Sequence, residues 1–190
     1  IEFTCVDTPQ NLLKLIQGEK DMTPLEIIEF EISSLLSKGL SLGYYFKKNT
    51  AYYDQISISI REYFKTNDAN HVDFWTSLAR ASLSEYLAGQ EIAINHVVRV
   101  LGSNELTASG TSPLDTLGEA LAAELECSFS ANSLSKSHAT RPLKETGLRS
   151  ERETELKDVY SVSTGVFESG DVILLIDDIC TSGTTAKTIS

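Results

Sequence analysis

Between Asp171 and Thr185 the chain runs five apolar residues, Val172 to Ile176, straight into two adjacent carboxylates, Asp177 and Asp178. A hydroxyl-rich turn, Thr181-Ser182-Gly183-Thr184-Thr185, follows, and Ala186 and Lys187 then suit the start of a helix. An apolar run of this length without alternation fits a strand buried on both faces, as in a parallel sheet. Parallel strands need crossover connections, so the segment points to an α/β fold. The turn can aim several backbone N–H groups and four hydroxyls at one spot near the positive end of a helix dipole, a place suited to a phosphate monoester. The two carboxylates upstream can accept hydrogen bonds from a vicinal diol. Phosphate on one side and diol on the other describe a ribose 5-phosphate.

At these residues the sequence resembles the type I phosphoribosyltransferases, whose signature is four or five apolar residues, two acids, two spacers and then Thr-Ser/Thr-Gly-x-Thr. Every element is present here in order. The resemblance implies a parallel-sheet phosphoribosyltransferase fold over roughly residues 91–190, incomplete at the carboxyl end. It also implies binding of 5-phosphoribosyl 1-pyrophosphate with Mg²⁺. Asp177, Asp178, Thr181, Ser182, Gly183, Thr184 and Thr185 would hold the ribose 5-phosphate, and Asp177 and Asp178 would reach the metal through water. Val98-Arg99-Val100-Leu101-Gly102-Ser103 is similar to the family's pyrophosphate loop, often Leu-x-Gly-Ser. On that basis Arg99, Leu101, Gly102 and Ser103 are expected at the pyrophosphate, with Gly102 allowing close backbone approach.

The stretch from Leu134 to Arg149 carries Lys136, His138, Arg141, Lys144 and Arg149 against one acid, Glu145. Family members cover the reacting ligand with a mobile loop at the equivalent place, which makes Lys136 and Arg141 the expected catalytic cations, stabilising charge on departing pyrophosphate. In the same region Glu145-Thr-Gly-Leu148, Arg152, Glu155 and Tyr160 resemble the ComF-like branch, where Gln-Thr-Gly-Leu precedes Arg, Asn and Phe. The gap from Leu148 to Arg152 is one residue short of that pattern, and the branch's amino-terminal cysteine cluster is missing.

Residues 1–90 read as a mainly helical region. Thr23-Pro24-Leu25-Glu26 is a capping box with Pro at the first helical position, and Gly39 is a natural stop. Between them Leu25, Ile28, Ile32, Leu35 and Leu36 recur at helical spacing. A second helix is expected over Thr50 to Lys65, with Tyr53, Ile56, Ile60, Tyr63 and Phe64 on one face; the alternation Ile56, Ile58, Ile60 also fits a strand, but length favours the helix. A third runs from an Asp73 cap to Gly89 with Trp75, Leu78, Leu83, Tyr86 and Leu87, its aromatics expected in the core. From residue 91 the texture changes. Ile92 to Leu101 reads as a buried strand, and Ser112-Pro113-Leu114-Asp115 opens a helix carrying Leu114, Leu117, Leu121 and Leu125. Cys127 to Ser169 is polar with weak periodicity.

Composition narrows the function classes. A net charge of −11 argues against a broad surface for nucleic-acid phosphates, which needs clustered Lys and Arg. Cys5, Cys127 and Cys180 form no CxxC pair, and His71, His96 and His138 stand apart, so neither a disulfide framework nor structural zinc is expected and a reducing cytoplasm is the natural setting. No apolar run approaches membrane-spanning length and no signal peptide is visible. The chain starts at Ile1 and stops at Ser190, where a helix is beginning, which suggests part of a longer protein; a homo-oligomer is compatible with the sequence.

The expected reaction is transfer of phosphoribosyl to a nitrogenous acceptor, a nucleobase or amine, with release of pyrophosphate. The rival expectation is a ligand-sensing or accessory module, in DNA uptake, defence or regulation, that keeps the phosphate-binding fold without transfer activity.

Overall fold

The computed structural model describes residues 24, 27–31, 38–42, 55–141, 149–180 and 183–189. The chain divides into two compact units, one of residues 1–30 and 40–92 and the other of residues 31–39 and 93–190.

Strands β1 (Ile28–Phe30) and β2 (Gly39–Ser41), which apart from Gly39 belong to the first unit, form a two-stranded sheet. This corrects the helix expected from Thr23 to Gly39, most of which lies outside the described residues. Period-two alternation wins at Ile28-Glu29-Phe30, where the apolar residues are half-buried and Glu29 is exposed. The second expected helix is present over its described part but is irregular. One α turn, α1 (Gln55–Ile58), passes into a π turn (Ser59–Tyr63) and then a 3-10 turn (Phe64–Thr66). The change of winding alters the buried face: Ser57, Ser59 and Phe64 are inside, whereas Ile56 and Ile60 are half-buried. Ser59 is retained inside by hydrogen bonds, accepting from Trp75 Nε1 at 3.0 Å and lying 2.7 Å from His71 Nδ1.

Helix α2 (Ala69–Ala88) starts one turn before the expected Asp73 cap. Asp68 caps it, accepting from the His71 N–H at 3.2 Å, and the chain leaves the helix at Gly89. Trp75, Leu78 and Leu83 are in the core as expected, joined by Val72 and Phe74. Tyr86 is half-buried and donates to Glu29 at 2.6 Å.

The second unit is mixed α/β around a three-stranded parallel sheet. Strand β3 (His96–Arg99) lies between β4 (Ser128–Phe129) and β7 (Ile173–Ile176), both parallel to it. Helix α3 (Pro113–Glu124) connects β3 to β4. It begins with the expected Ser112 capping box, in which Asp115 returns a hydrogen bond to the Ser112 N–H at 2.9 Å. The polar stretch from Cys127 to Ser169 is more ordered than its periodicity suggests. It contains β5 (Leu134–Lys136) and β6 (Tyr160–Val162), paired antiparallel, with helix α4 (Arg149–Leu156) between them. A final helix, α5 (Thr184–Ile189), follows β7. No helix among the described residues is long and apolar enough to cross a membrane.

The core beside β3 is built from Val98, Leu101 and Leu134, with Tyr160, Phe167, Leu175 and Ile189 packed against it. The expectation that β7 is buried on both faces holds only at its carboxyl end. Ile176 is buried, but Val172 and Ile173 are 40% and 43% exposed because β7 is an edge strand among the described residues. At the amino end of β3, His96 Nδ1 is 3.0 Å from Ser130 Oγ and its Nε2 is 3.2 Å from Asp171 Oδ2. One imidazole thus joins the lead-in of β7 to the exit of β4.

Gly118 lets α3 lie directly on Phe129 of β4, since a methyl group added at Gly118 would overlap the aromatic ring. Gly118→Ala should therefore destabilise the fold by about 1–3 kcal/mol, the usual cost of overpacking, against a helix-propensity gain of about 1 kcal/mol. A lowered urea midpoint with an unchanged slope checks this; an equal or higher midpoint would show that Phe129 moves aside freely.

Candidate functional site

Register brings the two sequence motifs together. Arg99 lies opposite Ile176, and the Val100 N–H donates to the Ile176 carbonyl at 2.9 Å, so the loop after β3 and the carboxylates after β7 leave the sheet side by side. This is the carboxyl end of a parallel sheet, where open α/β folds place their ligands. The β5–β6 ribbon brings Lys136 and Tyr160 to the same end.

Asp177 is exposed, with Oδ1 accepting the Asp178 N–H at 2.8 Å; Asp178 is half-buried. Gly183 has φ +67°, a left-handed conformation that favours glycine, and its carbonyl accepts the Lys187 N–H at 2.9 Å as α5 begins. Thr184 is buried and Thr185 half-buried, while Thr181 and Ser182 lie outside the described residues. Two carboxylates on adjacent residues would suit a Mg²⁺ held through water, with substrate phosphates supplying further coordination. Among the described residues no group of three or more His, Cys, Asp or Glu converges as a metal cage.

Arg99 has no exposed surface. Its Nε and Nη2 donate to Asp115, the latter at 3.2 Å. Nη1 and Nη2 donate to the two oxygens of Glu105 at 2.8 Å each, and Nη1 also reaches the Val100 carbonyl at 3.1 Å. A guanidinium has five N–H donors, and these bonds engage all of them. Arg99 lies at the expected loop, and its guanidinium organises that loop from within rather than presenting free donors. Leu101 is a core residue, and its side chain too is unavailable to an anion. The Gly102 N–H donates to Glu105 Oε2 at 2.6 Å, and Glu105 Oε1 takes the Ser109 N–H at 3.3 Å. Ser103 is half-buried, and its carbonyl accepts the Thr140 N–H at 2.9 Å. The N–H groups of Ser103 and Asn104 have no partner among the described residues.

The two cations expected from the basic stretch both have partners within the chain. Lys136 is in β5 and only 6% exposed. Its Nζ donates to the Gly102 carbonyl at 2.7 Å and lies 5.4 Å from the centre of the Tyr160 ring. It is thus part of a paired strand rather than of a loop that closes over ligand. Burial pushes the Lys136 ammonium pKa down, partly offset by the Glu105 charge. Arg141 is exposed, with its Nη2 and Nε donating to Glu155 Oε2 at 2.9 and 3.2 Å and its N–H to Oε1 at 2.9 Å. Tyr160 and Cys180 feel Asp177: burial raises both pKa values, and the carboxylate adds to the rise.

Sequence reasoning missed Glu105 and Asp115 as partners of Arg99. The signal was present, because an arginine in the apolar run Val97 to Leu101 needs buried counter-charges. No protein-family model matches the chain, and no curated protein or solved structure matches it either.

The Arg99 fork, and after it the Gly102 and Ser109 N–H groups, hold the Glu105 carboxyl down at about 2 against burial, which acts the other way. A depressed carboxyl pKa contributes stability that is complete above its unfolded value of 4.5 and is lost as pH falls from there toward 2. Glu105→Gln should lower the melting temperature at neutral pH and flatten the decline between pH 4.5 and 2. Parallel acid limbs in the two proteins would show that other carboxyls govern acid unfolding.

Proposed function

We propose that residues 93–190 belong to a domain of type I phosphoribosyltransferase kind, binding 5-phosphoribosyl 1-pyrophosphate and passing its phosphoribosyl group to a nitrogenous acceptor. The observation that carries this reading is the pairing of two loops at one sheet end. Asp177–Asp178 leave β7 beside Gly102–Ser103 leaving β3, and the acids are followed by a left-handed Gly183 and a helix start.

In this reading Asp177 and Asp178 accept the ribose hydroxyls, and the segment from Thr181 to Thr185 receives the 5-phosphate. The N–H groups of Ser103 and Asn104 face the pyrophosphate. Asp177 and Asp178 would hold Mg²⁺ through water, and the ion would supply charge neutralisation for the departing pyrophosphate. The acceptor nitrogen forms its bond to the ribose anomeric carbon as the carbon–oxygen bond to pyrophosphate breaks, and pyrophosphate leaves with that electron pair. The chain contributes orientation and charge stabilisation rather than a covalent nucleophile.

A second reading, a ligand sensor or accessory module without transfer activity, draws on a specific feature. Arg99, Lys136 and Arg141, the cations a catalytic reading would use, are each held by internal partners.

Calorimetric titration with 5-phosphoribosyl 1-pyrophosphate and Mg²⁺ tests the site. Asp177→Asn or Asp178→Asn should weaken binding by ~1.5–3 kcal/mol, the range for hydrogen bonds to charged groups. Gly183→Val should weaken it further, because a branched side chain opposes the left-handed turn and crowds the backbone. Unchanged affinity in all three folded variants would remove the assignment. Tight binding with no transfer to any nucleobase or amine would select the sensor.

A further inference from the structure

The loop after β3 is fastened at its rim and open at its tip. In the first turn of helix α3 lies Asp115, whose carboxylate accepts both the Ser112 N–H of the capping box and the Arg99 guanidinium. Arg99, wholly buried, passes this anchorage to Glu105 through two N–H bonds of 2.8 Å. Glu105 then gathers the Gly102 and Ser109 N–H groups, closing the base of the loop around one carboxylate. From the other side, Lys136 Nζ holds the Gly102 carbonyl, Thr140 holds the Ser103 carbonyl and the Lys136 N–H holds the Leu106 carbonyl. With the Gly102 and Ser103 carbonyls drawn toward Lys136 and Thr140, two consecutive N–H groups at the tip, Ser103 and Asn104, are left without partners among the described residues. Successive backbone N–H groups of this kind form an anion-binding concavity.

Resting on the reading above, we propose that Glu105 is a positioning residue for a pyrophosphate subsite at the Ser103–Asn104 tip: it touches no ligand and fixes the donors that do. The role depends on reach as well as charge. A carboxylate one methylene shorter keeps a partner for Arg99 but cannot also span to the Gly102 N–H. Glutamine keeps the reach but sets an amide N–H₂ against the Arg99 fork, where two donors face each other.

The test uses inorganic pyrophosphate with Mg²⁺ as one probe and ribose 5-phosphate as the other, against wild type, Glu105→Gln and Glu105→Asp. Wild type should bind both. Both variants should lose tenfold or more in pyrophosphate affinity and stay within twofold for ribose 5-phosphate, a split that general loosening of the fold would not give. In wild type, pyrophosphate should shift the Ser103 and Asn104 amide resonances and slow their exchange, while the Gly102 amide is protected before ligand is added. That measurement needs no variant to fold. Unaltered or tighter pyrophosphate binding in a folded variant overturns the proposal, as does wild-type behaviour in Glu105→Asp alone. Silent Ser103 and Asn104 amides under saturating pyrophosphate overturn it too. Wild type that binds pyrophosphate but not ribose 5-phosphate would overturn the phosphoribosyl reading and leave the loop assignment supported; binding of ribose 5-phosphate alone would do the reverse.

Discussion

The wholly buried guanidinium of Arg99 organises the carboxyl end of the sheet. Arg99 sits on the central strand with no exposed surface, held between Asp115 at the start of α3 and Glu105 in the loop. An unpaired charge there would be costly, and removing one partner of such a pair typically costs about 3–5 kcal/mol. The arrangement therefore constrains both carboxylates together. A helix start, a strand end and a loop are fixed to one another by one planar group whose five donors have fixed directions. Hydrophobic packing of Val98, Leu101 and Leu134 beside it has no directional demand of this kind.

Among the described residues, the cations Lys136 and Arg141 near this sheet end already have partners. Lys136 is bound to a backbone carbonyl and Arg141 to Glu155. What remains open to an anion at the β3 loop is backbone, at Ser103 and Asn104, and backbone donors on a fixed loop need no reorganisation when ligand arrives. On the proposed reading, recognition would rest on shape and charge placement more than on total charge, which fits a chain with a net charge of −11.

Legibility in the sequence followed signal strength. The last strand and its acids, the capped helix at Ser112 and the core strand around Val97 and Val98 were readable because each combines an apolar pattern with a sharp punctuating residue. Ile28–Phe30 was misread because four-residue and two-residue periods overlap across Ile28 and Ile32, and a short strand offers too few residues to separate them. The start of α2 was missed because Asp68 and Asp73 both make plausible caps, and only the His71 N–H decides between them. β5 and β6 were hidden for a different reason: their pairing partners lie 24 to 28 residues apart, and Ser135 opposite Ser161 leaves no apolar alternation to read. The sequence singled out Asp177, Asp178, Gly102 and Ser103, and the β3–β7 register brings these segments to one end of the sheet. It could not say which way the Arg99 side chain turned, because that depends on two acids whose distance from it in sequence carries no period.

The pairing of β3 with β7 sets a limit on how a chain of this kind can change length. Arg99 opposite Ile176 levels the two loops at the sheet edge. One residue inserted into either strand would shift its loop along the sheet by about 3.3 Å and turn every following side chain to the opposite face. Arg99 would then lose Asp115, or the acids would rise past the Ser103 turn. Residues added in the exposed turn at Gly165, by contrast, would meet open space. Length variation in descendants of this sequence should therefore collect in the connections, leaving four-residue strands as the invariant ruler between the carboxylates and the loop.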